Sequence, residues 1–273
     1  IRAFYGAGSR HRPIDEVLEE IAGLGARTVF FADDNLFSDP PVARELLERL
    51  AMLDLRWAAQ ITIDATTSDS DLDLLQRSGC AAVLIGFESL DPQSLRQMRK
   101  GWSLHHGDHA ACVERLRRRG IMVYGTFVFG YDHDTSASFA PTVQFAREAG
   151  LFLANFNPLT PTPGTPLYDR LREEGRLIHD PWWLDERWRY GQPCFRPRGM
   201  TPAELSAGIR HARREFYSVG SIVRRAIDLR ANARSLPNFS LFLLANLTSR
   251  REIAHKQDRP LGGEIHAAHA GQA

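Results

Sequence analysis

The sequence predicts an α/β domain built on a parallel sheet. Two observations carry this. Short apolar runs rich in Val, Ile and Phe recur between stretches of helical spacing, in units of roughly 30 residues, which is the pattern of βαβ topology with right-handed crossovers. The runs are also continuous, as in strands buried on both faces. With 273 residues, 43% of them hydrophobic, the chain is long enough for one large domain of this kind with a small appendage.

Pro13 to Leu24 has apolar residues at Ile14, Val17, Leu18 and Ile21, the spacing of one helical face. Pro13 suits its first turn and Gly25 its stop. Thr28 to Ala32 then reads as a strand, Pro41 to Leu53 as a helix, and Arg56 to Ile63 as a second strand. Ser70 to Ser78 is a helix closed by Gly79, and Ala82 to Phe87 a third strand. Asp91 to Met98 and His109 to Arg119 are helical, and Ile121 to Phe129 is the fourth strand. Ser138 to Ala149 is a helix and Leu151 to Asn157 the fifth strand. A helix comes first, so a strand is expected before it. Beyond Leu159 the pattern changes to a Pro/Gly-rich loop, a short helix and an aromatic loop from Pro181 to Phe195. Thr201-Pro202-Ala203-Glu204 is a helix start with a capping box, and two or three amphipathic helices follow to about His255. Gly262 to Ala273 reads as a frayed tail. The expected units are residues 1–170, 171–200 and 201–273: sheet domain, aromatic connecting loop and C-terminal helical region.

The net charge of +1 points to neither nucleic acid nor an anionic surface. Cys80, Cys112 and Cys194 are odd in number and far apart, which argues against a disulfide framework and for a reducing cytoplasm. Cys80 reads as the end of a helix, Cys112 as helical and Cys194 as part of the late loop. The longest apolar run, Leu241 to Leu247, falls far short of the ~18 residues of a membrane span. The first residue is Ile1, which suggests an excerpt of a longer protein.

In parallel α/β folds ligands collect at the carboxyl ends of the strands. Polar residues stand at four of the five: Asp33-Asp34-Asn35, Glu88-Ser89, the segment after Phe129-Gly130, and Asn157. Asp and Asn also serve as caps and turn formers, so the first of these has a purely structural reading too. Glu88 is different, because a carboxylate at the mouth of a buried strand needs a partner. Among other features, His105, His106 and His109 include an i, i+4 pair at a loop-to-helix junction, a spacing that metal ligands on a helix can have. Gly6-Ala7-Gly8 is too isolated for a phosphate loop.

Four segments in order resemble a known family: Phe31-Ala32-Asp33-Asp34-Asn35, then Ile85-Gly86-Phe87-Glu88-Ser89, then Gly125-Thr126-Phe127-Val128-Phe129-Gly130-Tyr131-Asp132, and Asn157-Pro158-Leu159 with the loop to Tyr168. Together they are similar to the barrel of radical S-adenosylmethionine (radical SAM) enzymes, in particular the subgroup with an N-terminal cobalamin-binding domain, over about Phe4 to Tyr217. The resemblance implies a partial (β/α)6 TIM-like barrel, here without its first strand. It implies S-adenosylmethionine and a [4Fe–4S] cluster as cofactors, with cobalamin in a preceding domain. It implies reductive cleavage of S-adenosylmethionine, with methylation, cyclisation or rearrangement at an unactivated carbon.

By position, Asp33, Asp34 and Asn35 match the segment near the S-adenosylmethionine amino group, in place of the usual glycine-rich version. Glu88 and Ser89 match the position near its ribose and carboxylate. Val128, Phe129 and Gly130 match the segment beside the adenine, and Asn157, Pro158 and Leu159 the one whose backbone meets the adenine edge. The family's CxxxCxxC cluster loop is absent. Ile1 to Pro13 resembles the stretch just beyond the third cysteine of that loop, which places the cysteines and first strand upstream and implies that the chain by itself is inactive. The implied partners are an electron donor such as flavodoxin or ferredoxin and a small-molecule or lipid-like substrate. The alternative reading is a non-catalytic module binding a nucleoside or a protein partner. The aromatic loop Trp182 to Tyr190 reads either as a substrate pocket or as a packing seam, and the arginine-rich helices from Ile222 to Ile253 as compatible with a membrane surface.

Overall fold

A computed structural model describes residues 10–98, 108–256 and 258–259. Five parallel strands form one sheet in sequential order: β1 (Thr28–Phe31), β2 (Arg56–Ile61), β3 (Cys80–Glu88), β4 (Met122–Phe129) and β5 (Leu153–Pro158). The crossovers run through α1 (Ile14–Leu24) before β1, then α2 (Pro40–Leu50), α3 (Asp69–Arg77), the pair α4 (Pro92–Gln97) and α5 (His109–Arg118), and α6 (Phe139–Glu148). After β5 come α7 (Pro166–Glu173), α8 (Pro202–Phe216), α9 (Val219–Ala226) and α10 (Leu236–Lys256). The predicted α/β class and all five strands are present. Gly6 to Gly8, His105, His106 and the stretch from Gly262 lie outside the described residues.

One expectation about Cys80 is corrected. Helix α3 stops at Arg77, and Cys80 opens β3. Gly79 makes the reversal at φ +89, where a Cβ would sit 2.0 Å from the Leu55 carbonyl oxygen. The capping box on α8 forms as expected: Glu204 N donates to Thr201 Oγ1 (3.1 Å), and Thr201 N to Glu204 Oε2 (2.7 Å).

The expectation that the strands are buried on both faces is also corrected. Burial alternates strictly along β2. One face carries Trp57, Ile61, Ile85, Phe127 and Phe156, packed with Leu47, Leu75, Leu116 and Phe216 of the helices in the main core. Register stacks the other face in layers: Ala58, Ala82 and Met122, then Gln60, Leu84, Tyr124 and Leu153, then Gly86, Thr126 and Asn155, with Val128 beside Asn157 at the top. The lowest layer is covered, since Met122 joins Phe152, Ile222 and Phe242 in a second cluster. The upper layers stay half open, and Asn155 is exposed. A barrel-like sheet covered by helices on one side leaves its other side for side chains or a ligand.

The two edges of the sheet differ. The outer edge of β5 and the turn before it are met by side chains from α8 to α10. Arg225 donates to Leu151 O (2.9 Å) and Phe152 O (3.1 Å), and Asn246 Nδ2 also reaches Phe152 O (3.1 Å). The Tyr217 hydroxyl donates to Ala154 O (3.0 Å) and accepts from Ala154 N (3.3 Å), and Arg213 Nε donates to Phe156 O (3.0 Å). These bonds replace a neighbouring strand and blunt the edge. Beside β1, α1 and α2 instead frame a groove of about 430 Å³ along which Phe30 is 62% exposed.

Candidate active site at the carboxyl rim

At the exit of β1, Asp33 and Asp34 are exposed, while Asn35 Oδ1 accepts from Phe37 N (3.1 Å) and caps a single 3₁₀ turn. The structural reading of Asn35 therefore accounts for its side chain.

β3 ends in a bulge between Gly86 and Glu88, and Ser89 N closes a tight turn onto Phe87 O (2.8 Å). Glu88 consequently has φ +66, in the left-handed region, which costs a non-glycine residue about 1 kcal/mol or more. Outliers of this kind gather at functional sites, because the bulge turns a side chain that regular pleating would point elsewhere. Ser89 is buried, and its Oγ accepts from Asp91 N (3.0 Å), so its hydroxyl serves the turn into α4.

β4 leaves the sheet through Gly130 at φ +112, whose missing Cβ gives room to Phe195 and Leu205 at 3.1 Å. The next residues wrap around one carboxylate. Gly130 N and Tyr131 N donate to Asp134 Oδ2 (2.9 and 3.0 Å), and Ser94 Oγ donates to Asp134 Oδ1 (3.2 Å). Burial pushes the Asp134 carboxyl up, against the opposing pull of the two amides. Burial also pushes the Tyr131 phenol up, and the negative charge of Glu88 adds to the effect. Asp132 ties the same loop to its surroundings through Arg170 Nη1 (2.8 Å), Arg176 Nη1 (3.0 Å) and Gln97 Nε2 (2.7 Å). These partners hold the Asp132 carboxyl below its usual range despite its partial burial.

At β5, Asn157 faces the open side, and its Oδ1 accepts from Arg213 Nη2 (3.2 Å). Of the sequence candidates, Val128 and Asn157 are register partners at the rim of the open face, and Glu88 ends the neighbouring strand β3. Phe129 turns to the core, 4.5 Å from the Phe139 ring, and Leu159 is buried with Leu171 and Phe195. Pro158 ends β5 half-buried. The sequence reading missed Tyr124, Thr126 and Asn155 of the open face and Arg213 behind it. The signal available was the period-two recurrence of polar residues in otherwise apolar strands.

The three thiols do not form a cluster site. Cys80, Cys112 and Cys194 are buried on separate elements, and burial raises the Cys194 thiol to about 12 and pushes Cys80 up as well. Iron ligation requires accessible thiolates, so these residues do not fit the group. Among the described residues, no group of three or more His, Cys, Asp or Glu side chains is arranged to hold a metal. His109 packs against Phe87 and Phe145, with ring centroids at 5.2 and 6.2 Å, and burial lowers its imidazole. The aromatic loop packs as a seam: Trp182 Nε1 donates to Pro161 O (3.0 Å), Trp183 meets Tyr168 at 5.8 Å, and Arg213 of α8 lies over Tyr190.

Residues 4–146, just over half of the chain, match the model of the Radical SAM superfamily. The chain belongs to the radical SAM superfamily. Among curated relatives, the bacteriochlorophyllide d C-12(1)-methyltransferase of Chlorobaculum tepidum is 34% identical over 227 residues, covering 81% of this chain and 48% of the relative. The hopanoid C-2 methylase of Rhodopseudomonas palustris is 29% identical over 193 residues, covering 66% of this chain and 36% of the relative. The chain thus spans about half or less of the length of these curated relatives. In fold it is similar to the radical S-adenosylmethionine methyltransferase TsrM of Kitasatospora setae, solved with cobalamin and a [4Fe-4S] cluster, with a TM-score of 0.53, 19% identity, and coverage of 75% of this chain and 38% of that one. No described helix is long and apolar enough to cross a membrane.

Proposed function

We propose that this chain is the S-adenosylmethionine-binding barrel portion of a cobalamin-dependent radical SAM enzyme that methylates, cyclises or rearranges a small molecule at an unactivated carbon. One observation carries the reading. The upper layers of the sheet's open face are half open, Val128 stands there beside Asn157, and the neighbouring strand β3 ends in a carboxylate, Glu88, in a strained backbone conformation. The family match and the methyltransferase relatives support the reaction class.

The residues of this face fit S-adenosylmethionine. Adenine takes an apolar wall and a few fixed polar groups, which Val128, Gly86 and Asn157 supply. Glu88 offers an acceptor for ribose hydroxyls or the amino group. Arg213 holds the Asn157 carboxamide through its oxygen, which leaves the NH₂ as a donor for a ligand. Bound S-adenosylmethionine together with a reduced [4Fe–4S] cluster and cobalamin supplies the radical or methyl chemistry. The thiolates for that cluster, the cobalamin-binding part and a further strand for the groove beside β1 would come from other residues of the longer protein. An electron donor such as flavodoxin or ferredoxin would supply the reducing electron. By this reading the 273 residues alone are inactive.

The test is anaerobic reconstitution of the full-length protein with iron and sulfide, followed by S-adenosylmethionine and a reductant. 5′-Deoxyadenosine and S-adenosylhomocysteine are read by chromatography, with this chain alone as the control. Product from the full-length protein and none from the chain alone is expected. A cluster-loaded protein that cleaves no S-adenosylmethionine, with candidate substrates present, would refute the reading and favour a nucleoside-binding module.

A further inference from the structure

Beneath Asn157 on the same open face lies a pocket of about 290 Å³, walled by Tyr124 of β4, Asn155 of β5, Tyr190 of the aromatic loop, Arg213 of α8 and Lys256 of α10. Its lining is polar, although it sits on a parallel sheet whose opposite face is wholly apolar. Asn is depleted in strand interiors, yet Asn155 stands exposed in the middle of β5, one register layer above Tyr124.

The charges do not balance. Lys256 Nζ lies 2.8 Å from Glu252, so that pair at the lip is internally neutral. Arg213 has no ion pair with a carboxylate among the described residues. Its bonds go to two neutral oxygens, Phe156 O at 3.0 Å and Asn157 Oδ1 at 3.2 Å, and its guanidinium lies 5.8 Å from the Tyr190 ring centroid. The pocket is therefore walled by Arg213, Lys256 and Glu252, with one positive charge in excess. Burial raises the Tyr124 phenol to about 12, so it remains protonated and able to donate at neutral pH. A half-buried guanidinium held in place by neutral acceptors, with two tyrosines, Tyr124 and Tyr190, lining the same small space, is suited to an oxyanion.

We propose that this pocket receives a carboxylate of the organic substrate, with Arg213 as the counter-charge and Tyr124 and Tyr190 as hydroxyl donors. The assignment rests on the proposed function, because it places the substrate's acid group on the same open face as Asn157, deeper along β5. The resulting specificity is for acids over their neutral amides.

Calorimetric titration of the full-length protein tests it, with sodium benzoate as probe, benzamide as neutral control and inorganic phosphate as a second anion. Benzoate is expected to bind, and benzamide to bind at least about tenfold more weakly, the effect of roughly one charged hydrogen bond. Arg213→Gln should weaken benzoate about tenfold or more, Arg213→Lys less, and Tyr190→Phe about threefold. Melting curves identify variants that have lost the fold, and Tyr190→Phe, which touches no backbone bond, keeps the test decisive if Arg213→Gln unfolds. Benzoate affinity unchanged in folded Arg213→Gln, or in Tyr190→Phe where Arg213→Gln unfolds, overturns the proposal. So does equal binding of benzamide. Phosphate binding as tightly as benzoate also overturns it, by making the pocket a site for free inorganic anions. S-Adenosylmethionine binding is measured on the wild-type protein. Wild type that binds benzoate but not S-adenosylmethionine counts against the proposed function alone, and wild type that binds S-adenosylmethionine but not benzoate counts against this site alone.

Discussion

Replacing Arg225 by Met should be among the most damaging single changes in this fold. The side chain is 1% exposed and is held by neutral oxygens: Leu151 O (2.9 Å), Phe152 O (3.1 Å), Phe216 O (3.0 Å), Asn246 Oδ1 (3.0 Å) and Ser221 Oγ (3.3 Å). Its guanidinium also lies 3.8 Å from the Phe216 ring centroid. Burial lowers the group to about 10, still cationic at neutral pH. Met conserves much of the volume and removes the desolvation cost of the cation, which offsets part of the loss. Phe152 O keeps Asn246 as a donor, whereas Leu151 O and Phe216 O lose the guanidinium in a buried setting. At about 1–3 kcal/mol for each orphaned acceptor, with further loss at Asn246 and the ring, the net destabilisation is about 3–5 kcal/mol. That corresponds to a fall of about 10 °C in Tm for a domain of this size. Urea melts of wild type, Arg225→Met and Arg225→Lys measure it. Lys keeps the charge but not the planar fork, and should fall between the other two. A loss below about 1 kcal/mol for Arg225→Met, with unchanged m value, would refute the idea that this residue anchors the last strand.

Glu88→Gly should leave stability unchanged or raise it by up to about 1 kcal/mol by removing left-handed strain, while weakening S-adenosylmethionine binding about tenfold or more; a destabilised variant with intact binding would contradict both halves. Gly130→Ala should destabilise by about 2 kcal/mol in a urea melt, since φ +112 and the Phe195 and Leu205 contacts at 3.1 Å both oppose a Cβ. Because the Asp134 carboxyl is raised in the folded state, its stabilising contribution is complete below the unfolded value and disappears as pH rises from about 4 through the raised value. Asp134→Asn should flatten that part of the stability–pH curve, and an unaltered curve would show that another group produces it. The native protein should react with no equivalent of a thiol reagent until denaturant is added, because all three cysteines are buried; fast labelling in buffer would reopen their candidacy as ligands.

The rim was partly legible in the sequence because strand-end polar residues interrupt apolar runs locally. Glu88 could be singled out in this way, since a carboxylate after Val83 to Phe87 has no local reason to be there. What could not be read was its left-handed backbone, which arises from a bulge against β4 and thus from pairing between segments about one βα unit apart. Asn35 shows the opposite outcome: the same kind of strand-end signal marks a helical turn cap.

Local spacing alone determined the α/β class, the order of the five strands and the position of the rim, because strand and helix periodicities are properties of neighbouring residues. Only the tertiary structure decided which face of the sheet stays open and how the two edges differ. Arg225 seals β5 from 74 residues away, and Arg213 reaches Phe156 and Asn157 across more than 50. Side chains from three different helices converge on one strand edge only when the chain reverses at particular angles, and no local pattern encodes that geometry.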